Sequence, residues 1–230
     1  MTSIDLVLAW LWRVLVMAGL LVGIQVPPML LRLINELIGQ PALVGWQIAA
    51  TCLYFLVFAI VAMVAGVTMR HYAVSDQWTR LTPHDWRLVW GSYFCIILCE
   101  GAFELVNRLV YSQSETENNS IIKNLMSGST IALWLMGFSA VILTPIVEEL
   151  IFRGALMNLF LNHGSLKIIL SGLVFGSLHS SSTLASWLIY VMMGLILATV
   201  YWHSHKIQTS ILLHFVINAA AMGVMIYQIT

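Results

Sequence analysis

Charge is what this sequence has least of. Of its 230 residues only 9% are Asp, Glu, Lys or Arg, ten basic against ten acidic, for a formal net charge of zero. No run of lysines or arginines is present to follow a phosphate backbone, which excludes nucleic acid as a partner. Cysteine is nearly as scarce. Cys52, Cys95 and Cys99 are odd in number, lie within apolar runs and lack metal-ligand spacing, so they are expected as small buried hydrophobes and no disulfide framework follows. The opening MTSID has no basic stretch ahead of the first apolar run and no small-residue cleavage site after it, so residues 6–26 are expected as a retained span. There is no internal repeat and no low-complexity tract, and no loop exceeds about twenty residues, which leaves no room for a soluble domain.

What is there is apolar: 60% of residues are hydrophobic and mean hydropathy is +0.91, far above an ordinary soluble domain. The chain therefore reads as an integral, multi-pass membrane protein with an all-α fold. A span takes roughly 20 apolar residues, which predicts a bundle of about eight transmembrane helices. They fall near 6–26, 43–68, 88–110, 121–143, 144–161, 166–180, 184–202 and 207–228. Residues 1–120 would supply about three spans, and 121–230 a core of about five helices. Thr144 and Pro145 suit a helix cap and first turn, and Asn162, His163 and Gly164 suit its end. PPMLLRLINELIGQP, with Arg32 and Glu36 four apart, suits a short interfacial helix or an ordinary loop. The basic loop Arg70 to Arg87 faces the cytoplasm by the positive-inside rule, opposite the acidic YSQSETENNS. Eight spans would return the C-terminus to the side of the N-terminus, yet put Lys206 on the outside, against that rule.

Charges at membrane depth cost about 2.5–3.5 kcal/mol each on insertion scales, so a cluster of them marks function by default. TPIVEELIFRG, residues 144–154, holds three. Glu149 and Arg153 are four apart, acid first, the favourable order for an ion pair on a helix. Glu148 is turned about 100° from Glu149 and must face something else. A solvated helix start would also welcome two acids. In SGLVFGSLH, the glycines Gly172 and Gly176 share a face with His179, a small-residue surface on which another helix can pack closely. In LLHFVINAAA, His214 and Asn218 share a face with Ala221, which leaves space beside them. Singly, each histidine motif also fits a structural polar contact between helices. Together they assemble, within the last 85 or so residues, the groups a hydrolase needs.

Glu148, Glu149 and Arg153 form a Glu-Glu-xxx-Arg motif, Phe175 and His179 a Phe-xxx-His, and His214 and Asn218 a His-xxx-Asn. In that order the motifs resemble those of the CPBP intramembrane proteases, which include CAAX prenyl endopeptidases and bacterial Abi and bacteriocin-associated proteins. The resemblance covers about residues 121–228. It implies an intramembrane endopeptidase acting on membrane-associated peptide or protein substrates, of the prenylated CAAX type in part of the family. In such an enzyme Glu148 and His179 would activate water, His214 and Asn218 would stabilise the oxyanion, and Glu149, Arg153 and Phe175 would support the site. Zinc bound by Glu148, His179 and His214 is the competing mechanism. No HExxH is present, and the His214–Asn218 pairing favours an oxyanion site with no cofactor. A proton-coupled transporter and a non-catalytic immunity or scaffold protein are the alternatives of other classes.

Glu100, Glu104 and Arg108 make a further charged stripe on the third span, read as a Glu104–Arg108 pair, as part of the cavity lining, or as a relay. Trp46, Trp78, Trp86, Trp90, Tyr111, Tyr201 and Trp202 near span ends are expected as an interfacial aromatic belt. His71, His84, His163, His203 and His205 are expected in loops and turns.

Overall fold

The computed structural model describes residues 3–73, 79–160 and 163–229. Trp78 and Asn162, named above, lie outside the described residues, as does position 161 at the end of the expected 144–161 helix. Helices follow one another as α1 (Ser3–Gly23), α2 (Val26–Leu37), α3 (Val44–Tyr72), α4 (Pro83–Val110), α5 (Glu117–Met126), α6 (Thr130–Leu159), α7 (Gly164–Ser177), α8 (Leu184–Ser204) and α9 (Ile207–Ile229). No strand occurs among the described residues. Among the described residues, six stretches are long and apolar enough to cross a membrane: Ile4–Leu37, Pro41–Tyr72, α4, α6, α8 and α9. The protein is an integral, multi-pass membrane protein built as an all-helical bundle.

The expected count of eight is corrected in three places. Residues 121–143 do not form one span, because the chain turns at 127–129 and Ser129 begins a new helix, its hydroxyl accepting the Ala132 N–H at 3.0 Å. The segments expected at 121–143 and 144–161 instead share α6, which runs on through Thr144 and Pro145. These two residues are not a helix start: Leu143 before them is helical and gives no side-chain cap. An interior proline is tolerated because the preceding turn, Ser139–Leu143, is π-wound, with the Thr144 N–H on the Ser139 carbonyl. The third correction is α7, whose 14 residues cover about 21 Å at 1.5 Å each, short of a full crossing.

Merging two spans also removes the anomaly at Lys206. Its ammonium is buried and donates to Asp85 at 2.7 Å and to the Arg80 carbonyl at 3.1 Å, so it sits on the same face as the arginine-bearing loop. At the other end of the bundle the Asn118 N–H reaches the Ser180 carbonyl at 3.1 Å. The chain therefore climbs α7, descends α8 to Lys206, and finishes α9 on the face of the acidic 111–120 segment. Eight spans had placed that end on the arginine side.

Helices α7 and α8 meet where the glycines allow. A Cβ on Gly176 would stand 2.4 Å from the Val191 side chain and 2.7 Å from its backbone nitrogen, and one on Gly172 would stand 2.6 Å from Leu195. Gly194 answers from α8, where a Cβ would be 3.0 Å from the Gly172 backbone. The small-residue face read from sequence is thus a close helix pairing beside the site. Gly176→Ala must push α8 away at its backbone. It is expected to cost about 1–3 kcal/mol, seen as a lower thermal midpoint in detergent; an unchanged midpoint would mean the helices are free to separate.

Two smaller expectations change. Cys52 and Cys95 are exposed on the outer surface and Cys99 is intermediate, so none of the three is a buried core residue. Tyr201 is buried rather than part of the belt, whereas Trp46, Trp86, Trp90, Tyr111 and Trp202 are exposed as expected.

Candidate active site

Neighbouring residues on α6 send their carboxylates in different directions. Glu149 is fully buried, with Arg153 Nη1 2.9 Å from its Oε1 and His214 Nδ1 2.9 Å from the same oxygen, while Ser210 donates its hydroxyl to Oε2. Arg153, equally buried, donates through Nη2 to the Gly194 carbonyl at 2.7 Å and lies over the Phe175 ring at 5.0 Å. An acid and a base with no access to water are held by geometry of this kind: each charge meets its opposite, and further lone pairs and N–H groups meet partners, the buried Arg153 Nε–H excepted. The second π-wound stretch, Leu150–Leu156, carries the arginine, and Asn158 donates to the Arg153 and Gly154 carbonyls at 3.1 and 2.8 Å. This cluster ties α6, α8 and α9 into one rigid frame.

Glu148 faces a cavity of about 310 Å³ whose wall also includes His179, His214, Asn218 and Ala221. Its Oε2 stands 3.7 Å from His214 Nε2, beyond direct hydrogen bonding and within reach of a bridging water. The Nδ1–H of His214 is directed at Glu149, which leaves Nε2 as the nitrogen that meets the cavity. His179 is fixed in a parallel way. Its Nδ1 donates to the Phe175 carbonyl at 2.8 Å, and its ring lies between Phe175, at 4.5 Å, and Tyr190, stacked at 4.5 Å and 13°. Phe175 itself is fully buried and touches the His214 ring edge at 5.8 Å. Asn218 donates through Nδ2 to the Ala140 carbonyl at 2.8 Å. All seven residues singled out by the motifs thus converge on this wall of the cavity or directly behind it.

Some of the lining was not legible in the motifs. Tyr190, the platform for His179, bonds Thr116 through its hydroxyl at 2.7 Å and so anchors the ring to the cap of α5. Tyr54 and Ser139, joined at 2.5 Å, line the cavity from α3 and α6. An aromatic in the middle of an apolar helix gives no sequence signal of that kind. Glu100 also lines the cavity, the second of the three readings given for its stripe. No ion pair joins Glu104 to Arg108 among the described residues, which corrects the expected pairing. The short helix α2 contributes Pro27, Pro28 and Arg32 to the cavity rim, and Asn35 fastens it to the Leu125 carbonyl at 3.0 Å. For a metal, no group of three His, Cys, Asp or Glu side chains among the described residues is placed to hold an ion.

Residues 130–220 match the family model described as Type II CAAX prenyl endopeptidase Rce1-like. That segment is similar to the Rce1-like protease family. It runs from the first turn of α6 into α9 and contains Glu148, Glu149, Arg153, Phe175, His179, His214 and Asn218. No curated protein and no solved structure matches the chain.

Proposed function

We propose that the protein is an intramembrane endopeptidase that hydrolyses membrane-associated peptides or proteins with Glu148 as general base. The observation that carries this reading is the 3.7 Å approach of Glu148 to His214 Nε2 on the wall of a cavity inside the helical bundle, within the family-matched segment. A water held beside Glu148 would lose a proton to its carboxylate as its oxygen attacks the scissile carbonyl carbon. His179 suits the orienting role, because its Nδ1–H is committed to Phe175 and Nε2 keeps a lone pair for the second hydrogen of that water. The oxyanion would be met by Asn218 and by His214 in its imidazolium form, with one N–H on Glu149 and the other toward the substrate. The Glu148 proton then passes to the leaving amine as the carbon–nitrogen bond breaks, which restores the carboxylate. Glu149 and Arg153 hold His214 in register and take no proton.

The apolar majority of the lining, among it Phe58, Ile122, Met193 and Met225, suits a hydrophobic segment of substrate. A prenylated CAAX end is the family's version of that chemistry. The test is cleavage of a quenched fluorescent peptide library by detergent-purified protein, wild type beside Glu148→Gln, each with and without a zinc chelator. Cleavage by wild type alone, unaffected by chelator, is the expected result. Loss of cleavage on chelation would transfer the water activation to zinc. No cleavage by folded wild-type protein, with flux or partner binding intact, would favour a transporter or a scaffold.

A further inference from the structure

The geometry points to Pro145 as a positioning residue for Asn218, an inference that rests on the protease reading only for its catalytic consequence. In an α-helix the Ala140 carbonyl would accept the N–H of residue 144, and in a π-turn that of residue 145. Here the Thr144 N–H goes to Ser139, and residue 145 is a proline with no N–H to give. The helix therefore offers the buried Ala140 carbonyl neither of the donors that would close its turn. Asn218 supplies one instead, from α9, at 2.8 Å. A primary amide has two N–H bonds in one plane. Fixing one on Ala140 fixes the direction of the other, and Asn218 and Ala140 both line the cavity that holds Glu148 and His214.

Pro145 thus acts at a distance. By withholding a donor three residues before Glu148, it keeps a carbonyl open on the catalytic helix and uses it to aim the asparagine amide. A backbone N–H at position 145 would close that carbonyl within the helix and release Asn218 to rotate. A proline whose role was only to bend α6 would show its effect in stability, with activity following stability. The aiming role instead separates the two, because removing an interior proline relaxes the helix while loosening the site.

The experiment is a cycle of Pro145→Ala, Asn218→Ala and the double variant in the full-length protein, read by thermal unfolding in detergent and by peptide cleavage. Asn218→Ala is expected to lower the midpoint by about 3 °C in the wild-type background, where it orphans a buried carbonyl. In the Pro145→Ala background the loss should be less than half as large, because an alanine at position 145 brings the N–H that the Ala140 carbonyl lacks. Pro145→Ala alone should hold or raise the midpoint while lowering kcat by about tenfold or more at unchanged KM. An equal midpoint loss in both backgrounds, or wild-type kcat for Pro145→Ala, overturns the inference. The unfolding arm needs no substrate, so it decides the hydrogen-bond claim even where wild-type protein cleaves nothing, an outcome that counts against the protease reading alone.

Discussion

Glu148→Gln is expected to lower kcat by about two to four orders of magnitude, the usual span for loss of a positioned general base, while leaving the thermal midpoint near that of wild type. Both halves follow from how little holds the side chain. No hydrogen bond ties its carboxylate to another side chain among the described residues, His214 Nε2 stands 3.7 Å away, and the change from carboxylate to amide barely alters volume or shape. The amide cannot take a proton from water, so the chemistry stops while the fold persists. The same substitution one residue later is expected to lower stability as well as activity, because Glu149 is enclosed by Arg153, His214 and Ser210 and is a member of the frame. A Glu148→Gln protein that cleaved peptides at the wild-type rate would remove the proposed base. One that failed to fold would show that Glu148 is structural after all.

The contrast between these two residues was largely legible in the sequence, since adjacent positions on a helix differ by about 100° and only one could pair with Arg153. The close face of Gly172 and Gly176 was legible for a similar reason, as helical spacing of residues without side chains has few other uses. What was not legible depended on contacts between distant segments. Tyr190 is one aromatic among many in an apolar helix, and nothing local marks it as the platform for His179. The span count went wrong at Thr144–Pro145, where a local signal for a helix start was correct as chemistry and overridden by a π-wound turn that lets the helix pass through the proline. That error also misplaced Lys206, because every later span changed sides. The short α7 was counted as a crossing on its hydropathy; its 14 residues fall short of the roughly 20 that a bilayer needs.

Glu149→Gln and Arg153→Met are each expected to destabilise the protein by about 3–5 kcal/mol, because each leaves one buried charge without its partner. Their double variant should lose less than the sum. With both charges gone, no uncompensated ion remains in the interior, and a glutamine at position 149 can still accept the His214 Nδ1–H through its amide oxygen while its NH2 donates to the Ser210 hydroxyl, which keeps the Leu197 carbonyl as its own acceptor. The coupling between interacting residues of this kind runs to about 0.5–3 kcal/mol, so thermal or denaturant unfolding of the four proteins resolves it. Activity should not return with stability, however. In the double variant His214 meets a neutral amide in place of a carboxylate at 2.9 Å from Nδ1, and the support for an imidazolium facing the oxyanion is lost. Recovery of stability without recovery of kcat is the signature of a frame that both holds the helices together and orients the histidine. Strict additivity in unfolding would mean that Glu149 and Arg153 act separately, Arg153 through Gly194 and the Phe175 ring, and Glu149 through α9.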